Sequence, residues 1–328
     1  MENQLFDVTY QPQVRADADT RSVMRDVLLA LVPAICVGVW RFGVYTFWVI
    51  LVSAASAVGF EWAYRKIMKK SNTIHDLSAL VSGVLLALVL PPNVPLWLPI
   101  IGAFFAIVVV KQLYGGIGTN FLNTARAARA FLLASYTTLI SQFPLPTTFG
   151  TDTISAATPL TTLYQGGDIG TYGLKALLTG NIPGCTGEIS AIAIMLGGLY
   201  LIWRGVISWR IPTAYIGTVA VLSFIMGFEN TSRLEWTVYN VLSGGLMLGA
   251  FFMATDYVTS PVTPGAMLVF GCGCGIITVL IHYYGGYPEG VSYAILLMNL
   301  VVWPLDKLFH RRPFGDEKGP NRLLGGKE

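Results

Sequence analysis

Residues 80–99 read LVSGVLLALVLPPNVPLWLP, an apolar run interrupted by the pair Pro91-Pro92. A helix that crosses a bilayer needs about 20 apolar residues, and proline both removes a backbone donor and clashes with the preceding helical turn. The stretch therefore predicts a short membrane helix over 76–91, followed by a second helix over 95–113. Interrupted helices of this kind are typical of membrane proteins that hold small molecules or ions between their spans.

The composition indicates that most of the chain lies in a membrane. Hydrophobic residues make up 54% of the 328 residues, charged residues make up only 12%, and the mean hydropathy is +0.60. Soluble domains carry about 25% charged residues. We therefore expect one polytopic membrane domain and no binding of nucleic acid. Because the first 26 residues are polar, we expect no cleavable signal peptide.

The apolar segments predict an all-α polytopic membrane protein with about ten transmembrane helices. These segments lie at 25–41, 43–64, 76–91, 95–113, 121–141, 188–204, 212–228, 236–253, 264–284 and 289–307. Most Lys and Arg residues outside the spans fall on one side of the membrane if both termini are cytoplasmic, as the positive-inside rule requires. The long polar loop over 142–187 is then extracytoplasmic.

A second stretch resembles the first and predicts an internal repeat. Residues 241–248 read VLSGGLML, a proline-rich break follows, and the next span ends in Tyr-Gly-Gly at 284–286, as the earlier span does at 114–116. Five spans in each unit would make two inverted five-helix repeats; chance likeness between Gly-rich helices is the alternative. The predicted organisation is a cytoplasmic segment over 1–24, repeats over 25–141 and 188–307, the loop over 142–187, and a cytoplasmic tail over 308–328.

Several polar side chains lie inside or beside the predicted spans, where burial in lipid is costly and a functional role is common. The candidates are Asn120, Asn123, Arg126, Glu188, Thr255, Asp256 and Glu289. The alternative for the acids is that each complements the dipole of a nearby helix. The asparagines and the arginine could instead tie adjacent helices together.

Cysteine and histidine spacing does not predict a metal site in this chain. The four cysteines form no C-x-x-C pair, and the three histidines are scattered. Cys272 and Cys274 lie in the Gly-rich run VFGCGCGII, where small residues favour close helix packing. The alternative is a contribution to a metal centre shared with another subunit. No P-loop or dinucleotide fingerprint is present, so we expect no nucleotide hydrolysis by this chain and no catalytic side chain in it.

The longest polar gap contains DTISAATPL at residues 152–160. Pro159 disfavours the α conformation at Thr158, so we expect the Thr158 hydroxyl to point outward, where it could accept a covalent group. Local chemistry alone favours the alternative, a solvated turn rich in hydroxyl groups.

This segment resembles the D-x-x-[ST]-[GA]-A-T sequence at which a flavin transferase joins FMN to threonine through a phosphodiester. The whole chain resembles the D subunits of Rnf ion-translocating oxidoreductases and, more distantly, the B subunits of Na⁺-pumping NADH:quinone oxidoreductases. The matching motifs are SVMRDVLLALVPA at 22–34, GCTGEISAIAIMLGG at 184–198, WRIP at 209–212, FFMATDYVTSP at 251–261 and YYGGYPEGVSYAILLMN at 283–299. The chain departs from the pattern at Gln13, where the family often has His, and at Ala156, where the Na⁺-pump subunits have Gly.

The resemblance implies that Thr158 carries FMN as a phosphoryl threonine, with Asp152 and Ser155 in the recognition motif of the transferase. It also implies a second, non-covalent flavin, riboflavin. The predicted repeat puts this flavin on the cytoplasmic side, near Asn120, Asn123, Thr255 and Asp256.

The resemblance further implies a function in electron transport. The chain would be a multi-pass subunit of a translocase in the bacterial cell membrane that couples electron transfer between ferredoxin and NAD⁺ to movement of Na⁺ or H⁺. Its partners would be Rnf subunits of the A, B, C, E and G types, membrane lipid, and the flavin transferase during maturation. The alternatives are a secondary transporter and a structural membrane subunit without a cofactor.

Overall fold

Apolar helices build the structure, a computed structural model that describes residues 19–146, 156–164, 173–227, 232–285 and 290–309. The first half contains α1 (Thr20–Phe42), α2 (Val44–Ile67), α3 (Ser78–Leu88), α4 (Trp97–Phe104), α5 (Thr124–Ser135), α6 (Thr137–Ile140), α7 (Pro159–Tyr164) and α8 (Leu174–Thr179). The second half contains α9 (Ala191–Trp203), α10 (Arg210–Met226), α11 (Arg233–Leu242), α12 (Leu246–Leu248), α13 (Pro264–Tyr284) and α14 (Gly290–Leu308). Two helices continue with π-helical turns, α4 over Phe105–Gln112 and α12 over Gly249–Met253.

The helices bear out a multi-pass membrane protein. Among the described residues, α1, α2, α13 and α14 are long and apolar enough to cross a bilayer, and α11 with α12 makes a fifth span if the pair, bent by 58°, is counted as one. Each of the ten predicted segments overlaps a helix, but α3, α9, α10 and α4 with its π-helical turns are shorter than a full span. The number of ten spans and the inverted repeat therefore stay predictions.

The break at Pro91-Pro92 is present, and the second half of the chain closes it. Helix α3 ends at Leu88, and α4 begins at Trp97. The carbonyl of Leu88 accepts a hydrogen bond from the amide of Gly187 (2.8 Å), and that of Leu90 accepts one from Thr186 (3.2 Å). Carbonyls at a helix end need such partners when no water is available. The loop before α9 thus completes a helix of the first half.

Small residues let the helices approach closely, as the Gly-rich run predicted. A Cβ at Gly271 of α13 would lie 2.7 Å from Ala214 Cβ of α10, and one at Gly197 of α9 would lie 2.1 Å from the carbonyl oxygen of Ala30 in α1. Without strong hydrophobic attraction in lipid, membrane helices depend on this kind of close packing. Helix packing also joins the two halves, since α1 packs against α9 and α5 against α14.

Candidate functional site

A pocket lies beside the interrupted segments, and we call it the Asn123 pocket. Its walls come from distant parts of the chain, from Val23 of α1 to Val258 after α12, and its empty volume, including space open to solvent, is about 780 Å³. Its polar lining includes Ser78, Lys111, Asn120, Asn123, Thr255 and Asp256. The structure thus brings Asn120, Asn123, Thr255 and Asp256 to one place.

Hydrogen bonds fix the polar side chains of this pocket. Asn123 caps α5: its Oδ1 accepts from the amide of Arg126 (3.1 Å), and its Nδ2 donates to the carbonyl of Met253 (3.2 Å). Thr255 Oγ1 donates to the carbonyl of Phe251 (2.6 Å), and Asp256 Oδ2 accepts from Thr259 Oγ1 (3.2 Å). Asn123 therefore links the start of α5 to the π-helical turns after α12.

A buried ion pair in the pocket wall was missed by the sequence analysis. Lys111 Nζ lies 3.0 Å from Glu61 Oε2 and 2.7 Å from Ser78 Oγ, and both charged side chains are at most 4% exposed. Glu61 also accepts from Gln112 Nε2 (3.0 Å) and Thr73 Oγ1 (2.7 Å). The positive charge of Lys111 is therefore paired with a carboxylate, which Arg65 Nε also approaches to 3.9 Å. An acid inside the predicted span over 43–64 was the available signal.

A smaller pocket adjoins Thr158, and we call it the Thr158 pocket. Its lining is Thr158, Pro159, Leu160, Ile182, Pro183, Gly184, Glu188 and Gly244. Thr158 is only 6% exposed, and its Oγ1 lies 2.7 Å from Thr161 Oγ1 and accepts from the Thr161 amide (3.2 Å). The expectation that this hydroxyl points outward is wrong for this conformation, because it caps the first turn of α7.

Packing of α7 explains the burial of Thr158. Tyr164, at the end of α7, donates from its hydroxyl to Asn240 Oδ1 (2.7 Å) and meets the rings of Trp236 and Tyr283 edge-on. A proline before a helix predicts backbone conformation but carries no information about such tertiary contacts.

Asp152, Ser155 and Glu289 lie outside the described residues.

Arg126 and Glu188 belong to the surroundings of the Thr158 pocket. Glu188 Oε1 pairs with Arg129 Nη1 (3.4 Å), and Arg129 Nη2 lies 3.3 Å from Cys185 Sγ. Arg126 donates from Nη1 to Ser292 Oγ (2.8 Å) and from Nη2 to the carbonyl of Gly245 (3.4 Å). All three charged side chains are buried. Arg126 therefore ties α5 to α14 and to the start of α12, and Glu188 serves a buried arginine.

Comparison with known proteins assigns the chain to a family. Residues 7–315 match the family described as "NQR2, RnfD, RnfE family". The chain is 45% identical over 316 residues to the D-type subunit of the Na⁺-translocating ferredoxin:NAD⁺ oxidoreductase complex of Acetobacterium woodii. That match covers 95% of this chain and 96% of that protein.

Two further relatives match over almost their full lengths. The D-type subunit of the proton-translocating ferredoxin:NAD⁺ oxidoreductase complex of Clostridium ljungdahlii is 39% identical, over 96% of this chain and 97% of that protein. The D-type subunit of the ion-translocating oxidoreductase complex of Shewanella amazonensis is 36% identical, over 94% of this chain and 98% of that protein.

Proposed function

Because the chain belongs to the NQR2, RnfD, RnfE family, we propose that it is the D-type membrane subunit of an ion-translocating ferredoxin:NAD⁺ oxidoreductase complex. Near full-length similarity to relatives with that name carries this proposal. Its partners are then complex subunits of the A, B, C, E and G types. The names of two relatives specify different ions, Na⁺ and H⁺. The proposal is therefore translocation of an ion, without a choice between the two.

The subunit carries FMN joined to Thr158 through a phosphodiester. The motif around Thr158 supports this part of the proposal, together with the adjoining pocket, in which Gly184 and Gly244 leave space and buried arginines lie behind the wall. A flavin supplies one- and two-electron chemistry that side chains lack, while the protein supplies position and electrostatics. Because α7 buries the hydroxyl, a transferase reaches Thr158 only when α7 is displaced or before it packs.

The Asn123 pocket holds the second, uncharged flavin. Asn120, Asn123 and Thr255 offer amide and hydroxyl groups to a polar ring edge, and Phe251 and Phe252 offer apolar surface. Lys111 is neutralised by Glu61, and Asp256 adds negative charge. A phosphate group would find no free cation among the described lining residues. This charge pattern favours riboflavin over FMN.

Two inverted repeats organise the subunit, with both termini cytoplasmic and the loop over 142–187 outside. The packing supports the repeat: α2 contacts α3 and α4, and the corresponding α10 contacts α11 and α13. The equivalent pairs α1 with α9 and α5 with α14 pack against each other, as helices that lie at a two-fold axis do. The distribution of Lys and Arg supports the orientation.

Flavin fluorescence of the denatured chain tests the attachment. Wild-type chain co-expressed with the transferase is expected to fluoresce in a denaturing gel, and Thr158→Val is expected to be dark. Thr162→Val, four residues along α7, is the matched control and should fluoresce. A fluorescent Thr158→Val band would exclude Thr158 as the attachment site.

The same gel separates the alternative functions. A dark wild-type band would exclude a covalent flavoprotein and favour a structural subunit. Substrate flux through the isolated chain without any chromophore would favour a secondary transporter.

Extraction of non-covalent flavin from the purified complex tests the Asn123 pocket. The combined variant Asn120→Ala, Asn123→Ala, Thr255→Val and Asp256→Asn is expected to lose riboflavin and to keep the fluorescent band from Thr158. Unchanged riboflavin content would exclude this pocket as the second site.

A further inference from the structure

Arg126 is a buried cation that donates hydrogen bonds to neutral groups. Its side chain is completely buried, and it donates to the Ser292 hydroxyl and the Gly245 carbonyl. In the part of the chain that the structure describes, its Nε has no hydrogen-bond partner. Within the described residues, no carboxylate lies within 4.0 Å of it, since the carboxylate of Glu188 pairs with Arg129 instead.

An arrangement of this kind is energetically unfavourable unless an anion is present. Burying an ionised group without a paired charge costs several kcal/mol, even after the surroundings relax, and charged side chains in membrane segments are rare and functional. Arginine also remains charged in proteins. Arg126 is therefore a site at which an added negative charge would be stabilising.

The Thr158 pocket is the space next to this charge. Gly245, whose carbonyl accepts from Arg126, directly follows Gly244, which lines the pocket. Glu188 lines the pocket as well, and its carboxylate packs so tightly on Gly245 that an added Cβ would lie 2.3 Å from Oε1. One glycine pair thus separates the Arg126 guanidinium from the pocket that holds Thr158.

We propose that Arg126 supplies the counter-charge for the phosphodiester that links FMN to Thr158. This inference rests on the proposed attachment of FMN. On attachment, Thr158 Oγ forms a bond to the FMN phosphorus of a flavin dinucleotide donor, the phosphoanhydride bond of the donor breaks, and a nucleoside monophosphate and the hydroxyl proton leave. The phosphodiester that remains carries one negative charge. The side chain acts across the glycine pair as a positioning residue, and attachment stabilises the fold by balancing the charge of Arg126.

The test measures how much attachment stabilises each variant. Full-length chain in its complex is prepared with and without co-expressed transferase, and Tm is measured for both forms, with loading determined by flavin fluorescence. Attachment is expected to raise the Tm of the wild type. The rise is expected to fall to half or less in Arg126→Gln and to return in Arg126→Lys, which keeps the charge.

A change of opposite sign separates electrostatics from packing. Glu188→Gln removes a negative charge from the same cluster, so attachment should raise the Tm of this variant more than that of the wild type. If Arg126 and Glu188 acted through packing alone, replacing either residue would lower the rise in Tm that attachment causes. Arg233→Gln, which removes a positive charge from an exposed position, is the matched control and should keep the wild-type increment.

The outcomes distinguish the inference from the function on which it rests. Equal Tm increments in loaded wild type, Arg126→Gln and Glu188→Gln would overturn the role of Arg126 and leave the attachment intact. Absence of covalent flavin on the wild type would overturn the attachment and the counter-charge together. If Arg126→Gln does not fold, Ser292→Ala replaces it, because this variant removes a hydrogen bond that holds the Arg126 guanidinium. A lowered Tm increment in Ser292→Ala would support the role of Arg126, and an unchanged one would overturn it.

Discussion

The two pockets differ in whether the buried cation beside them is paired with a carboxylate. In the wall of the Asn123 pocket, Lys111 has a carboxylate at 3.0 Å and a hydroxyl at 2.7 Å. Behind the Thr158 pocket, Arg126 donates to a hydroxyl and a carbonyl, and no carboxylate of the described residues lies within 4.0 Å of it. This difference shows that the pairing of the buried cation distinguishes the two sites better than the size or the lining of the pockets. A compensated site suits an uncharged ligand, and a site with an unbalanced cation suits an anionic one.

The largest effect is expected when the carboxylate of Glu188, which lines the Thr158 pocket, is removed. Glu188→Ala leaves Arg129 without the carboxylate that pairs with it, and breaking a buried pair costs about 3–5 kcal/mol. Thermal unfolding of the purified complex should show a large drop in Tm. Asp26→Ala is the control, because Arg204, its partner at 3.2 Å, is 47% exposed, and such pairs contribute about 0–1 kcal/mol. Equal losses in the two variants would contradict the prediction.

Replacing Glu61 should give the Asn123 pocket the preference for an anionic ligand that we propose for the Thr158 pocket. Glu61→Gln keeps the shape and leaves Lys111 with an uncompensated charge. Since a hydrogen bond to a charged group contributes about 1.5–3 kcal/mol, the preference for FMN over riboflavin should rise at least about tenfold. Chromatography of the extracted non-covalent flavins measures the ratio, and an unchanged ratio would show that charge does not select the ligand there.

A smaller and more local effect is expected at Asn123. Asn123→Ala removes the cap of α5 and the bond to Met253, and loss of a cap costs about 0.5–2 kcal/mol. Non-covalent flavin should fall, while the covalent flavin on Thr158 should be unchanged in the same preparation. Parallel loss of both flavins would mean that the two pockets are not independent.

The smallest effect is expected at Gly217 of α10. A Cβ added there would meet no atom within 4 Å, and substitutions away from packed features usually change stability by less than about 0.5 kcal/mol. Gly217→Ala should leave both flavins and the Tm unchanged. A marked loss of either flavin would indicate that a partner subunit contacts this face.

Local signals in the sequence were sufficient for the helices and for one pocket. Apolar runs and prolines located the helices, including the break after α3. The predicted repeat indicated that Asn120, Asn123, Thr255 and Asp256 would meet, and the structure brings them to one pocket. The prediction used residues that are close in sequence and a repetition read from the sequence.

The charge pattern could not be predicted because it depends on long-range contacts. Glu61 and Lys111 belong to different helices, and neither apolar periodicity nor a motif pairs them. Arg126 shares a helical face with Asn123, yet its long side chain reaches Gly245 and Ser292 in the other half of the chain. The burial of Thr158 likewise depends on the contact between Tyr164 and Asn240.

The walls of the Asn123 pocket also set an order for biosynthesis. Val23 is made near the beginning of the chain and Val258 near its end, and both line the pocket. At a synthesis rate of about 5–20 residues per second, Val258 is made on the order of ten seconds or more after Val23. Leu88 and Leu90 are likewise made before Gly187 and Thr186, whose amides donate hydrogen bonds to their carbonyls. A nascent first half therefore has neither a closed pocket nor a completed α3, and a non-covalent ligand is taken up by the finished chain.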